Sequence, residues 1–454
     1  MKRWMWLTLA AVVVIVAGVT LVALPRGQEW TTSSPEALAE FEAAMEAERK
    51  LYGEDVLLHI EKALELDPEF VMPRLMSVGA AIREDEEKGK AFWDEVLATD
   101  TSKLTPRERY FIERSRAFRE ERPEDVPGLT DEYLAKYPND PYVLNRKADR
   151  AWAQGESEEA ERLYRRLAEI GPNWAIAYNM LGYINMGKGR FTEAEEHFKS
   201  YRFIAPDQAN PHDSLGELFI ALGRYGEAEE SFERAIEIRP DFWASYQHIV
   251  LMKTFTGELG VARDTIARAE TAGAPERMIV NLGCLERYMG MSNAGRWQAI
   301  LDEAGSECIE ESNLDFARII THLAACETGA WDTARRIEAE ASKLLADYEN
   351  TGKQKEILTL RAGIDHLEGV RMALEGDFSE AGKKLRAADE RLSYSDAGTA
   401  VFKLYNRMIL AELLFADGKD AEAHGLVAKI RGVNPLWVEE FEDSGLKVIG
   451  LERG

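Results

Sequence analysis

Apolar positions in the middle of the chain fall three and four residues apart. Tyr178, Leu181 and Ile184 make one inward stripe of a helix. A glycine follows, and then a second helix from Glu193 to Ile204 with Ala194 and Phe198 on its apolar side and Pro206 blocking continuation. The pattern returns. Leu181-Gly182-Tyr183 reappears as Leu215-Gly216-Glu217, and Glu193-Ala194-Glu195-Glu196-His197-Phe198 as Glu227-Ala228-Glu229-Glu230-Ser231-Phe232, both displaced by 34 residues. The same step links Gly155, Gly189, Gly223 and Gly257; Ala160, Ala194, Ala228 and Ala262; Tyr164, Phe198, Phe232 and Ile266; and Pro138, Pro172, Pro206 and Pro240. Each slot has a physical use: glycine ends the first helix in a left-handed cap, alanine lets two helices approach, the aromatic fills the space beside it, and proline stops the second helix. Neither helix buries its face alone, so stability must come from stacking neighbouring pairs. Strand signals are absent.

In these slots the chain resembles the tetratricopeptide repeat (TPR) family. The unit from Ala209 to Phe242 carries His212, Leu215, Gly216, Phe219, Ala228, Phe232, Ala235 and Pro240 at the family's tryptophan, leucine, glycine, tyrosine, alanine, phenylalanine, alanine and proline positions, with His212 in place of the tryptophan. Units 175–208, where Asn185 takes the tyrosine slot, 141–174 and 243–274 follow the same scheme. A weaker unit, 37–70, rests on Ala44, Ala63 and Pro68. The expected fold is all-α, a TPR-type solenoid over 37–275. Beyond it Gly329 with Ala334, Gly376 with Ala381 and Gly418 with Ala423 keep the glycine-to-alanine spacing but lie 47 and 42 residues apart, so 276–454 is expected to hold longer helical pairs, divergent repeats or a separate helical domain. The stretches Thr31 to Leu38, Pro106 to Tyr110 and Asn210 to Gly216 also resemble the exported TPR region of some bacterial membrane-bound serine/threonine kinases and regulators. Only Met1 to Arg3 precede the apolar stretch here, which leaves no room for their kinase domain.

That apolar stretch changes the picture of where the repeats reside. Trp4 to Leu24 is uncharged and long enough, at about 1.5 Å per residue, to cross a hydrocarbon core of about 30 Å as a transmembrane helix. The competing reading is a secretory signal, with Leu21 and Ala23 near a weak cleavage site. No cysteine follows, so a bacterial lipoprotein is excluded. Lys2 and Arg3 favour a cytoplasmic N-terminus, with the linker 25–36 and the repeats exported. A net charge of -25 argues against nucleic acid as a partner.

No set of residues predicts chemistry, a small-molecule substrate, a cofactor or a metal. Gly187-Lys188-Gly189 lacks the rest of a phosphate loop, and His212-Asp213-Ser214 point about 100° apart on a helix, so they cannot relay a proton. The seven histidines include no helical metal pair. Cys284, Cys308 and Cys326 show no ligand spacing and read as buried packing residues, at least one of them unpaired. The resemblance instead implies that protein or peptide partners lie on the concave face made by the first helix of each pair. Aligning the repeats puts Asn145, Asn179, Asp213 and Gln247 at one slot and Asp149, Tyr183, Glu217 and Leu251 one turn on, with Tyr142, Trp152, Trp174 and Met186 flanking. Amides can bond a peptide backbone and aromatics can anchor side chains. No lysine or arginine occupies these slots, so an acidic tail is a poor ligand. The expected role is a non-enzymatic extracytoplasmic scaffold or adaptor; the alternative is an accessory sensor that signals through its membrane helix to a separate kinase or regulator.

Overall fold

A computed structural model describes residues 29–303, 308, 316–350, 354–442 and 448–451. The apolar stretch 4–24 lies outside them. Among the described residues no helix is long and apolar enough to cross a membrane, and every regular element is helical. The chain forms two compact units, one ending at Val143 and the other starting at Leu144.

The first unit holds α1 (Pro35–Lys50), α2 (Gly53–Leu66), α3 (Val71–Glu84), α4 (Glu86–Leu97), α5 (Pro106–Arg119) and α6 (Val126–Lys136), and the start of α7 (Pro141–Ala153). Helix α5 begins in a capping box between Thr105 and Glu108, which satisfies two orphan donors at once. Glu108 is fully buried because its carboxylate also receives the Thr31 N–H and hydroxyl, both at 2.6 Å. Stretches 77 residues apart in the sequence therefore meet at one carboxylate. Beside it Trp30 stands edge-on to Phe41 and Tyr142, and the Arg107 guanidinium lies over Trp30 and Tyr142 while bonding Asp140 at 2.7 Å.

The second unit continues with α8 (Ser157–Ile170), α9 (Ala175–Gly187), α10 (Phe191–Ile204), α11 (Ala209–Ala221), α12 (Tyr225–Ile238), α13 (Trp243–Phe255), α14 (Leu259–Thr271), α15 (Glu276–Asn293) and α16 (Trp297–Glu303). After these come α17 (Phe316–Glu327), α18 (Trp331–Glu349), α19 (Gln354–Leu374), α20 (Phe378–Arg391), α21 (Ala397–Ala416), α22 (Asp420–Val433) and α23 (Pro435–Glu442). The repeat logic is met residue by residue. Gly155, Gly189, Gly223 and Gly257 all have φ between 71° and 79°, the left-handed region that glycine enters without a Cβ penalty. Ala160, Ala194, Ala228 and Ala262 are fully buried. Gly182 and Gly216 serve a different end: a Cβ on either would overlap the buried ring of Phe198 or Phe232, so these glycines admit the aromatic slot of the paired helix.

The same grammar extends past residue 275. Gly329, Gly376 and Gly418 are left-handed, and Ala334, Ala381 and Ala423 are fully buried. The wider spacing comes from helix length: α18, α19 and α21 have 19, 21 and 20 residues against 13 or 14 in the regular repeats. Helix α21 is unlike the rest. Fifteen of its 20 residues are buried, which makes it an interior helix rather than an amphipathic one. Its Val401, Leu404 and Met408 share one core with Leu215, Leu218, Phe219 and Met186 of the repeats.

One expectation about cysteine is corrected. Cys284 and Cys308 form a disulfide with Cα atoms 5.6 Å apart, closing a loop of 24 residues, while Cys326 is free and buried.

Candidate functional site

The inner face of the regular repeats is built by α7, α9, α11 and α13, because a step of 34 residues returns equivalent positions to the same helix face. Asn179 and Tyr183 on α9 meet Asp213, Ser214 and Glu217 on α11. The Ser214 hydroxyl donates to Asn179 Oδ1 at 3.3 Å, and the Tyr183 hydroxyl lies 3.0 Å from Ser214 Oγ and 2.7 Å from Glu217 Oε1. From α13, Ser245 donates to Asp213 Oδ1 at 2.7 Å and His248 Nδ1 lies 3.1 Å from the same oxygen, with Nε2 3.8 Å from Glu217 Oε2.

This cluster is interior. Asp213 and Glu217 are 3% and 5% exposed, and a buried carboxylate requires a partner. His248 supplies the charge: burial acts to lower its pKa, but Asp213 and Glu217 outweigh burial and raise it to about 9. Burial drives Glu217 upward, and burial together with Glu217 and Asp213 holds the Tyr183 hydroxyl well above its usual range. Asp213, Glu217 and His248 each offer one donor atom within 4.8 Å of the others, so they could hold a metal ion; the imidazolium meets the same charge requirement.

The second Glu217 oxygen is taken by the chain itself. Glu217 Oε2 accepts the Ala397 N–H at 2.9 Å across 180 residues, placing a carboxylate at the positive end of α21. Around this contact Tyr394 stands edge-on to Phe191 at 5.3 Å, and further along Asn434 Nδ2 and Trp437 Nε1 each donate to the Tyr225 hydroxyl at 3.1 Å. The C-terminal helices thus cover the inner face of α9 and α11.

The residues anticipated from the repeat alignment therefore divide. Asn179, Tyr183, Asp213 and Glu217 come together, covered rather than open. One repeat earlier Asn145 donates to Asp149 at 3.3 Å, Asp149 accepts from Tyr164 at 2.8 Å, and Asn145 Oδ1 is buried without a hydrogen bond among the described residues. Gln247 does not join its slot: it is exposed, and the neighbouring His248 turns inward instead, to Asp213. Met186 is fully buried core. Trp174 packs over Gly171 in its own turn, and Tyr142 is held in the first unit, where its hydroxyl accepts from Arg49 at 2.9 Å. Trp152 is half-buried. Leu251 lines a cavity described below. Ser214 and His248 were missed because they reach back one repeat, to Asn179 and Asp213, at an offset of 35 rather than 34.

The tetratricopeptide repeat family matches residues 145–209 and again 211–242. The chain carries TPRs. No curated protein matches it. Among solved structures, a Parabacteroides merdae TPR protein is 16% identical, covering 64% of this chain and 98% of its own, with a TM-score of 0.36. PilW, a type IV pilus biogenesis factor, is 17% identical over 42% of this chain and 91% of its own, with a TM-score of 0.35. A mutant of the Thermobaculum terrenum O-GlcNAc transferase is 21% identical over 29% of this chain, which spans only 26% of that enzyme, with a TM-score of 0.27. At that level of superposition none of them speaks to function. TPRs make a protein-interaction scaffold the general role.

Proposed function

We propose that this chain is an extracytoplasmic, membrane-tethered scaffold whose protein partner reaches the inner face of the repeats by displacing the start of α21. The observation carrying this reading is the contact between Glu217 and the Ala397 N–H: the inner face already holds a polypeptide backbone, its own, through an acceptor that a partner strand or helix end would use equally. The Cys284–Cys308 disulfide supports the compartment, because such bonds persist in oxidising surroundings and are rare in a reducing cytosol. Residues 4–24 would be the tether. The absence of a nucleophile, base and oxyanion set from the sequence reading supports binding rather than catalysis. The sensor reading draws on the same occupied face, since cover and release of α21 would be its two states.

Two experiments test this. Alkaline phosphatase fused after Gly454 is expected to be active in cells; an active cytoplasmic reporter at that point would overturn the compartment. For the binding face, a Cβ on Gly187 would lie 3.9 Å from Ser395 Cβ, within the range a disulfide spans. Gly187→Cys with Ser395→Cys should therefore lock α21 in place when oxidised. Partners that wild type captures from membrane extracts should bind the locked protein at least 10-fold more weakly and return on mild reduction, with wild type taken through the same cycle unchanged. Equal capture by the locked protein would move the site to an outer surface, and no capture by wild type would sink the scaffold reading.

A further inference from the structure

A second site lies deeper in the same unit. Between α13, α15, α17, α19, α21 and α23 is a cavity of about 430 Å³, a size that suits a small organic molecule. Its walls include Phe255, Trp297, Phe316, Phe402 and Trp437, and no Lys, Arg, Asp or Glu lines it among the described residues. Apolar, aromatic walls favour a flat or compact hydrophobic body. Against the described walls an ion would enter without compensation for its lost hydration, which favours an uncharged occupant.

Two polar groups in the wall are unspent. His366 is 1% exposed, and its Nδ1 lies 2.9 Å from Asn406 Oδ1. Asn406 uses its Nδ2 as a donor to the Leu385 carbonyl, so its oxygen must accept, and His366 carries its proton on Nδ1. Nε2 is then a bare acceptor, and it makes no hydrogen bond among the described residues. The ring stays neutral: burial, against the help of Asn406, pushes His366 down to about 4. Tyr405, whose ring centroid is 5.8 Å from that of His366, has a hydroxyl that likewise makes no hydrogen bond among the described residues. An acceptor left unpaired in an interior wall needs a reason, and here it shares that wall with an unpaired hydroxyl, while Thr254, Thr256, Ser292, Asn293 and His322 are further polar residues of a mostly apolar lining.

We infer that the cavity binds an uncharged, largely apolar molecule bearing a hydroxyl, which donates to His366 Nε2 and accepts from Tyr405. One hydroxyl serves both wall groups, since it is donor and acceptor together. The apolar body supplies the affinity and the hydroxyl sets the orientation. This site is separate from the Glu217 contact and does not depend on a protein partner.

Three probes of one shape test it on the full chain: 2-naphthol, naphthalene and naphthalene-2-sulfonate. Titration followed by fluorescence should show saturable binding of 2-naphthol, weaker binding of naphthalene and none of the sulfonate. Tyr405→Phe removes one oxygen and is expected to lower 2-naphthol affinity about 2-fold to 13-fold while leaving naphthalene unchanged. Val370→Trp fills space in the wall and should weaken both uncharged probes at least 10-fold. Should that variant fail to fold, Tyr405→Phe decides alone. No saturable 2-naphthol binding means that the chamber holds only water and overturns the proposal; so does binding that ignores Tyr405→Phe, or equal binding of the sulfonate.

Discussion

Glu412→Leu is expected to release the C-terminal residues from the second unit and to lower its stability by roughly 2 to 5 kcal/mol, as judged from desolvation costs of about 1 to 3 kcal/mol per orphaned group. Glu412 is 4% exposed on α21. Its Oε2 accepts the Val448 and Ile449 N–H groups at 2.7 and 2.8 Å, and Oε1 accepts that of Leu451 at 2.7 Å. One carboxylate thus satisfies three backbone donors where no helix or strand partner exists, and charge-assisted bonds of this kind are the stronger class. Leucine keeps the volume and removes every acceptor. Ile449, 3% exposed and packed with Leu410, Leu413 and Leu414, would either stay with an unpaired N–H or leave its core. Partial relief by water explains why the range falls below three full penalties. Urea unfolding followed by circular dichroism should show the lower midpoint, and amide exchange at 448, 449 and 451 should rise towards that of open chain. Glu412→Gln, which retains one accepting oxygen, should fall between. Unchanged exchange at these three amides in Glu412→Leu would show that the tail is held by its side chains and not by the carboxylate.

Such a contact could not be read from the repeat. A 34-residue period reports which positions of each helix turn inward, and here it located the left-handed glycines, the buried alanines and, through the glycine-to-alanine spacing of five, the hairpins that turn at Gly329, Gly376 and Gly418. It also brought Asn179, Tyr183, Asp213 and Glu217 to one face. Period carries no information about what covers that face, because Glu217 and Ala397 are 180 residues apart and belong to segments of different rhythm. A local signal did exist. The stretch Ala397 to Ala416 is largely apolar around the helix, broken only by a few polar residues such as Lys403, Asn406, Arg407 and Glu412, a composition that suits an interior helix, and an interior helix must lie against something. The Cys284–Cys308 pair was hidden for a related reason: three cysteines without regular spacing leave every pairing open until the fold brings two together. His248 was legible only to a search at an offset of 35, where each first helix reaches back to its predecessor.

His248 carries the other large effect. His248→Asn removes the imidazolium that faces two buried carboxylates, Asp213 at 3.1 Å and Glu217 at 3.8 Å. Breaking a buried ion pair from one side typically costs about 3 to 5 kcal/mol, since the remaining carboxylates lose their counter-ion and keep only the neutral donors Ser245, Tyr183 and the Ala397 N–H. The wild-type protein should show the same dependence through pH. The folded His248 titrates at about 9 against an ordinary 6.5, burial being outweighed by Asp213 and Glu217, with Asp396 adding to them. A raised basic group stabilises fully below its unfolded pKa, so this contribution is complete below pH 6.5, nearly so at 6.5, and is lost as pH rises through 9. Across that window the change is on the order of 3 kcal/mol. Tyr183 does not confound it, because burial and the same carboxylates hold its proton well above 10. Urea midpoints at pH 6.5, 8 and 9.5 should therefore fall for wild type and stay nearly level for His248→Asn, which starts lower. Parallel decline in both would assign the alkaline loss to another group. The lock between positions 187 and 395 separates electrostatics from docking: combined with His248→Asn it should hold α21 on the inner face without restoring the lost charge, so the level pH profile should persist while partner capture stays weak. If the lock instead restored the wild-type slope, His248 would be acting through the position of α21 and not through its own proton.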